Sequence, residues 1–416
     1  MQVAVNIGPL YHLDGSLHPM SGVHHHLNSL IVALHRGCST GKIPHEIRAF
    51  APLGASRLLK EGNGKNPLPE SLRTGIVLDT AGDIGPIALD RTGLPTLTGK
   101  VAVRWGLRCA VRAAKAYDLM HCTGPSFLPL EQYAPSCTVV TIFDMTTRTH
   151  PETHASENRA SWERYFDFAR CNAARIITVS EWSRREIVEM LNVPESRVQV
   201  VPSAPRLSVG RIEPGPARSA LLSLVPQWGN RPFALYVGNI EPRKNLKRLI
   251  EAWAQVYGGE PSVRDYRLVL AGKADPAYQS ELAKAASEAG VGESVYFTGY
   301  LSNETVNALM SACEAFVYVS RAEGFGLPPV EAMLCGAPVI AAGVTSLPEV
   351  VGEGGMLVNP DDTEEIAAAL HRVLTDSSAN QALREAGARR VTSFSWERIA
   401  RETVQVWEQA YEERRL

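Results

Sequence analysis

The stretch AFVYVSRAEGFGLPPVEAM, residues 315–333, decides the fold. Its apolar opening, Ala315 to Val319, has the length and composition of a strand covered on both faces. SRAEGFGLP then breaks the chain, and Pro329 suits the first turn of a helix, where a missing N–H costs little. That places Glu331 in the first helical turn and Glu323 in the loop, eight positions earlier. Gly324 and Gly326 permit a tight turn and a close approach of ligand to backbone. N–H groups beside a helix start bind anions and sugar hydroxyls, and a carboxylate there can accept hydrogen bonds from vicinal hydroxyls, as acidic groups do toward a ribose. The plainer alternative is a helix-start glutamate favoured by the macrodipole and a solvated loop glutamate.

The same strand, loop and helix pattern recurs from end to end, the signature of parallel sheets covered on both faces. In the first half, apolar runs predict strands at 2–7, 46–51, 74–78, 118–122, 138–143, 175–179 and 198–201, with helices near 22–36, 100–116, 155–173 and 181–191. In the second, strands at 233–237, 267–271, 295–298, 315–319, 338–341 and 356–358 alternate with helices near 245–256, 277–289, 302–312, 329–335 and 362–375. Six prolines interrupt both periodicities over 202–232, which marks a linker. Ile399, Val404, Trp407 and Tyr411 stand at helical spacing and predict a terminal amphipathic helix. The expected class is α/β, with two doubly wound halves and a ligand at the carboxyl ends of the strands, facing a cleft.

A chain of 416 residues is too long for one ordinary core and suits two domains. Its 45% hydrophobic and 21% charged residues are globular in balance, and a formal net charge of -2 argues against a nucleic-acid partner. Seven scattered cysteines without a Cys-x-x-Cys pair suggest neither a disulfide framework nor a zinc site, so a reducing cytoplasm fits best. MQVAVNIGPL lacks a basic leader, and no run of about 18 apolar residues occurs; the chain is expected to be neither exported nor membrane-spanning. Arg104, Arg108, Arg112 and Lys115 share one helical face, which is either simply solvated or a peripheral contact with anionic lipid headgroups at the inner membrane surface.

Chemistry is suggested at further places. In YVGNIEPRKNLKRLIEAW, residues 236–253, a strand runs into Gly238 and then into Arg243 and Lys244 just ahead of a helix. Two cations there suit a diphosphate: unlike charges about 4 Å apart interact by roughly 4 kcal/mol at an effective dielectric near 20, enough to hold and then stabilise a departing phosphate oxyanion. Gly22, in SGVHHHLNSL, could bring a helix start against phosphate. The run His24-His25-His26 does not make a metal site, because consecutive helical residues diverge by about 100°. His121 and Asp144 each stand at a strand's carboxyl end, where doubly wound folds keep their sites. A buried, hydrogen-bonded imidazole and a turn-capping carboxylate are the plainer readings of these two.

Taken together these stretches resemble the retaining glycosyltransferases of the GT-B fold, the large bacterial family with a Glu-x7-Glu element, which includes mannosyl-, rhamnosyl- and glucosyltransferases. The resemblance rests on Glu323 through Met333, supported by GNIEPRKNLKRLIEAW, VYFTGYLS and SLPEVVGEGGMLVNPDD. In the first half, DLMHCTGPSFLP, VVTIFDMTTRTHPE and IITVSEWSRREI add to it in order. It implies two Rossmann-like domains: an acceptor domain over 1–203, a linker over 204–231, a donor domain over 232–394, and a terminal helix over 395–416 that crosses back to the first domain. It further implies that Glu331 binds the ribose hydroxyls of a nucleotide-sugar donor while Glu323 faces the sugar, with Gly324, Phe325, Gly326 and Leu327 lending amides. Arg243 and Lys244 would neutralise the diphosphate, with Gly22 near it, Tyr300 and Leu301 near the base, and His121 near the transferred sugar. Asp144 would belong to the acceptor side.

On that resemblance the expected activity is metal-independent, retaining transfer of a hexose or deoxyhexose, mannose or rhamnose favoured, to a glycan or lipid-linked glycan in surface polysaccharide assembly. The donor is a substrate, so no cofactor is expected; a GDP-sugar is favoured, with UDP- and dTDP-sugars as alternatives. The sequence departs from the family in three places. Asn239 stands where many members carry Arg, Phe143 where a His precedes the Asp, and Ser21 at the first glycine of a Gly-Gly pair. The competing readings are a GT-B-fold epimerase or phosphorylase-like enzyme, and a nucleotide-sugar-binding regulator without catalysis. No Gly-rich dinucleotide fingerprint follows an early strand, which disfavours a dehydrogenase.

Overall fold

The computed structural model of the chain describes residues 1–6, 22–50, 78–79, 116–125, 134–135, 137–213, 215 and 231–415. Nearly all of the predicted helix over 100–116, including its whole basic stripe, most of the predicted strand over 74–78, and most of the linker lie outside them. Contacts divide the chain into one unit formed by Met1–Arg148, His154–Ser203 and Ser395–Leu416, and a second formed by Thr149–Thr153 and Ala204–Phe394.

In unit 1 the short apolar runs form β1 (Gln2–Asn6), β2 (Glu46–Phe50), β3 (Leu78–Asp79), β4 (Leu119–Cys122), β5 (Thr138–Thr141), β6 (Arg175–Thr178) and β7 (Val198–Val200). They make one parallel sheet in the order β3-β2-β1-β4-β5-β6-β7. Helices α1 (Gly22–Ser39), α2 (Ser156–Cys171) and α3 (Glu181–Leu191) connect them. Ser180 caps α3 by accepting from the Ser183 N–H, and Asn192 ends it in the left-handed region, so both termini are written locally.

Unit 2 repeats the plan with β8 (Phe233–Val237), α4 (Leu246–Gly259), β9 (Arg267–Ala271), α5 (Pro276–Glu288), β10 (Val295–Gly299), α6 (Asn303–Ala312), β11 (Ala315–Tyr318), α7 (Leu327–Leu334), β12 (Val339–Ala342), α8 (Leu347–Val351), β13 (Gly355–Val358), α9 (Thr363–Thr375) and α10 (Ser377–Val391). Its parallel sheet runs β10-β9-β8-β11-β12-β13. The four inner strands β9, β8, β11 and β12 are buried along most of their length, as expected where helices cover both faces, while the edge strands β10 and β13 are mostly half-buried. Helix α4 shows how the pattern seats a helix: Leu246, Leu249, Ile250, Trp253 and Val256 recur at three- and four-residue spacing, and all are buried. Two Rossmann-like units of α/β class are thus borne out.

This strand order puts a switch point between β8 and β11: the chain leaves β8 toward one side of the sheet and later returns to β11 on the other. Loops that follow adjacent strands in opposite senses leave a crevice at the carboxyl edge. Both charged loops singled out in the sequence, 238–245 and 319–326, begin there.

The terminal helix α11 (Trp396–Arg415) packs within unit 1 against α1, β5 and β6. Ile399, Val404 and Trp407 are buried as the spacing predicts. Tyr411 sits at the rim instead, its hydroxyl 3.4 Å from Asp118 Oδ1, because Ala400, Val406 and Ala410 fill the buried stripe. Glu408 and Glu413 on the same helix pair with His45 and Arg175. Among the described residues no helix is long and apolar enough to cross a membrane.

Candidate active site

Three neighbouring parallel strands of unit 2 run out into glycine at their carboxyl ends. Gly238, Gly272 and Gly299 have φ of 153°, 154° and 68°, conformations that side chains rarely adopt. At Gly272 space forbids a side chain as well, since a Cβ would lie 1.8 Å from the Gly238 carbonyl oxygen. Beyond Gly238 the chain makes a 3-10 turn, Pro242–Lys244, ended by Asn245 in the left-handed region. The buried Asn245 side chain donates to the carbonyls of Val319 and Pro360, at 3.3 and 2.7 Å, tying this turn to the end of β11.

That tie brings Arg243 and Lys244 onto Glu323, 79 residues away from Lys244. Lys244 Nζ lies 2.5 Å from Glu323 Oε1 and Arg243 Nη1 lies 3.3 Å from Oε2. All three side chains are largely buried, at 6%, 16% and 10% exposure. Lys244 also donates to the Tyr318 hydroxyl at 3.1 Å, and Arg243 pairs with Glu241 at 2.7 Å. The loop after β12 holds Glu323 by its backbone. The Glu323 N–H donates to Thr345 Oγ1 at 3.3 Å, and Ser346 Oγ donates to the Glu323 carbonyl at 2.9 Å. Thr345 itself has φ of 56°, an uncommon strained position of the kind that gathers at functional sites.

Burial by itself would raise the Glu323 carboxyl, but the charges of Lys244 and Arg243 outweigh it and hold the group down to about 2. Burial lowers the Lys244 ammonium, against the pull of Glu323. The solvated-loop reading of Glu323 is therefore corrected, because two cations are folded onto it. A carboxyl depressed in the folded state contributes stability above its unfolded range, near 4.5, and loses it as pH falls through about 2. The melting-temperature gap between the wild type and Glu323→Gln is expected to narrow as pH falls from about 4.5 to about 2; a gap independent of pH would refute the assignment.

Glu331 is placed differently from the first-turn position predicted. Gly326, with φ of 88°, turns the chain early and α7 starts at Leu327, with its two prolines in the first turn. Glu331 thus lies one turn in, without a role at the helix start, and is 3% exposed. Its carboxylate meets Arg206: Nε to Oε1 at 2.6 Å, Nη2 to Oε2 at 2.7 Å, and the Arg206 backbone N–H to Oε1 at 3.2 Å. Arg206 Nη1 reaches on to Asn303 Oδ1 at 2.7 Å, the first residue of α6, next to the loop that carries Tyr300 and Leu301. Tyr300 is 80% exposed. Gly324 and Phe325 are buried in the loop between the two glutamates, and the Phe325 ring stands edge-on to Phe394 at 5.8 Å. Asn239 is exposed, and its carbonyl accepts from the Tyr236 hydroxyl at 2.8 Å.

The remaining candidates lie in unit 1. Gly22 opens α1. Asp144 accepts from the Thr146 N–H and hydroxyl at 2.9 and 2.5 Å, which is turn capping. His121 is 1% exposed; its Nε2 lies 2.8 Å from Thr141 Oγ1 and its ring stands 5.6 Å from Trp407. Burial, with a smaller contribution from His26, lowers it to about 3, so the imidazole is neutral at ordinary pH. His26 is likewise lowered by burial, to about 4; its Nδ1 lies 3.0 Å from Ser203 Oγ and its ring lies between Phe143 and Trp396.

Sequence reasoning missed Arg206, Glu241, Tyr318 and the Thr345–Ser346 clasp. Glu241 carried a signal, being two positions before Arg243 in EPRKN. Arg206 carried none, being 125 residues from Glu331 inside a proline-rich run.

Residues 70–204, within the first half of the chain, match a model of a glycosyl transferase 4-like domain, and residues 225–390 match that of glycosyl transferases group 1. O-antigen chain mannosyltransferase B of Escherichia coli is 34% identical over 270 residues, covering 65% of this chain and 69% of that protein. Serotype-specific mannosyltransferase WbdA of Escherichia coli is 34% identical over 236 residues, which cover 56% of this chain and 28% of that larger protein. The structure of Anabaena HepE, solved with UDP and glucose, shares the fold with a TM-score of 0.69 and 19% identity, covering 98% of this chain and 100% of that one. With a charged constellation at the switch point of its second unit and sequence likeness across both halves, the chain belongs to the group 1 glycosyltransferases.

Proposed function

We propose that this glycosyltransferase moves a hexose or deoxyhexose, mannose favoured over rhamnose, from a nucleoside-diphosphate sugar to a glycan or lipid-linked glycan in surface polysaccharide assembly. The observation that carries the reading is the buried cluster of Lys244, Arg243 and Glu323 at the carboxyl edge of β8 and β11. The O-antigen mannosyltransferase relative favours mannose and a polysaccharide acceptor.

The chemistry follows from charge. Breaking the sugar–phosphate bond leaves negative charge on the diphosphate, and cations fixed in place before the reaction stabilise it without reorganising. Lys244 and Arg243 are held in this way: Tyr318, Glu241 and Glu323 position their heads. The departing phosphate oxygen can take the acceptor's proton, so no separate protein base is required, and the transfer is proposed to retain anomeric configuration without a metal. Glu323 faces the sugar and Glu331 the ribose. His121, neutral and buried, is proposed to act near the sugar through the end of β4 and carries no charge there.

The test is incubation with GDP-mannose, GDP-rhamnose, UDP-glucose and dTDP-rhamnose, with and without a mannan acceptor, in the presence of EDTA. One donor is expected to release its diphosphate faster with acceptor, and the product is expected to show retained configuration by NMR. Isomerised donor without transfer would point to the epimerase, and binding without turnover to the regulator.

A further inference from the structure

Glu331 is the residue on which donor recognition rests in the reading above, and its acceptor capacity can be counted. An ionised carboxylate offers about four lone-pair positions. The Arg206 backbone N–H and Nε both point at Oε1, and Nη2 points at Oε2. Three positions are thus filled by one residue, and one remains, on Oε2. The guanidinium is itself fixed, because Nη1 is bound to Asn303 Oδ1 at 2.7 Å and the Arg206 side chain is 15% exposed. A planar fork held at both ends stops the carboxylate from turning.

We propose that Arg206 is a positioning residue for the nucleotide: by occupying Glu331 from one side it leaves a single acceptor, so the ribose is read through one hydroxyl and not through both. The inference rests on Glu331 facing the ribose, and it adds the stoichiometry of that contact and the residue that sets it. A ribose held through both oxygens would need Arg206 to let go, leaving a buried charge pair broken. A single contact to Oε2 leaves the pair whole. The same geometry makes Arg206 a link between Glu331 and the Tyr300 loop, since Asn303 begins α6 three residues after Tyr300.

The test is calorimetric titration of the full chain with GDP and UDP, and then, for the tighter of the two, with its 2′-deoxy and 3′-deoxy analogues. A hydrogen bond to a charged acceptor is worth at least about a tenfold change in affinity. One analogue is therefore expected to bind about 10-fold weaker or worse, and the other within about 2-fold of the parent. Comparable losses for both analogues would show a two-hydroxyl grip and overturn the proposal. No loss for either would overturn the ribose assignment of Glu331 itself, a separate failure. Arg206→Lys and Arg206→Met then isolate the fork. Lysine keeps the charge but cannot hold both oxygens, so it is expected to restore melting temperature relative to methionine while the asymmetry between analogues falls below about 3-fold. Lowered melting temperature with the asymmetry intact would make Arg206 merely structural.

Discussion

Replacing Lys244 with methionine is expected to lower kcat by about 10²- to 10³-fold, the scale seen when one preorganised donor to a developing oxyanion is removed. The side chain is 6% exposed and sits 2.5 Å from Glu323, so methionine fills its volume while deleting the charge. Donor KM is expected to change far less, because the ammonium does most for the charge that develops as the bond breaks. Initial rates of diphosphate release at saturating donor and acceptor measure this, and a kcat within about 3-fold of wild type would remove Lys244 from the leaving-group site. Stability falls as well. Removing one member of a buried pair costs about 3–5 kcal/mol when nothing replaces it, and the cost is expected at the low end of that range because Arg243 stays 3.3 Å from the same carboxylate. Rates are therefore to be taken well below the variant's melting temperature.

Gly272→Ala is expected to be the most damaging single-methyl change in unit 2. The added Cβ would meet the Gly238 backbone carbonyl at 1.8 Å, at a φ of 154°, and a backbone carbonyl has no rotamer to move into. Gly238 and Ile240 donate to Ala271 and Lys273 on either side, and Gly272 donates to Gly299, so relief at one strand end disturbs three. A loss of at least about 3 kcal/mol is expected, which for a unit of this size lowers the melting temperature by about 6–12 °C. The control is Gly290→Ala, also at positive φ but with open space around its Cβ, which is expected to cost about 1 kcal/mol. Equal effects of the two substitutions would show that contact at the strand ends is not what Gly272 avoids.

Much of this was legible along the chain. Apolar runs at 233–237, 267–271 and 315–319 became strands within a residue of their expected ends, because burial on both faces demands an unbroken apolar segment. The start of α7 was less legible. Two prolines invite a helix, but it was the left-handed Gly326 that set its first residue and moved Glu331 one turn inward. The EPRKN and Glu-x7-Glu segments showed that charge would gather at strand ends, and they did not show how it would pair. Glu323 had to find Lys244 across 79 residues, and Glu331 to find Arg206 across 125.

What the sequence by itself determined is the alternation of strands and helices, the class of fold and the presence of carboxylates and cations at loop positions, since each follows from periodicity and local backbone preference over a few residues. What only the tertiary structure decided is which charges meet, how deeply they lie and how many of their bonding positions remain open. Those depend on strand order and on distant segments brought together by burial, where a charge is stable only beside its partner.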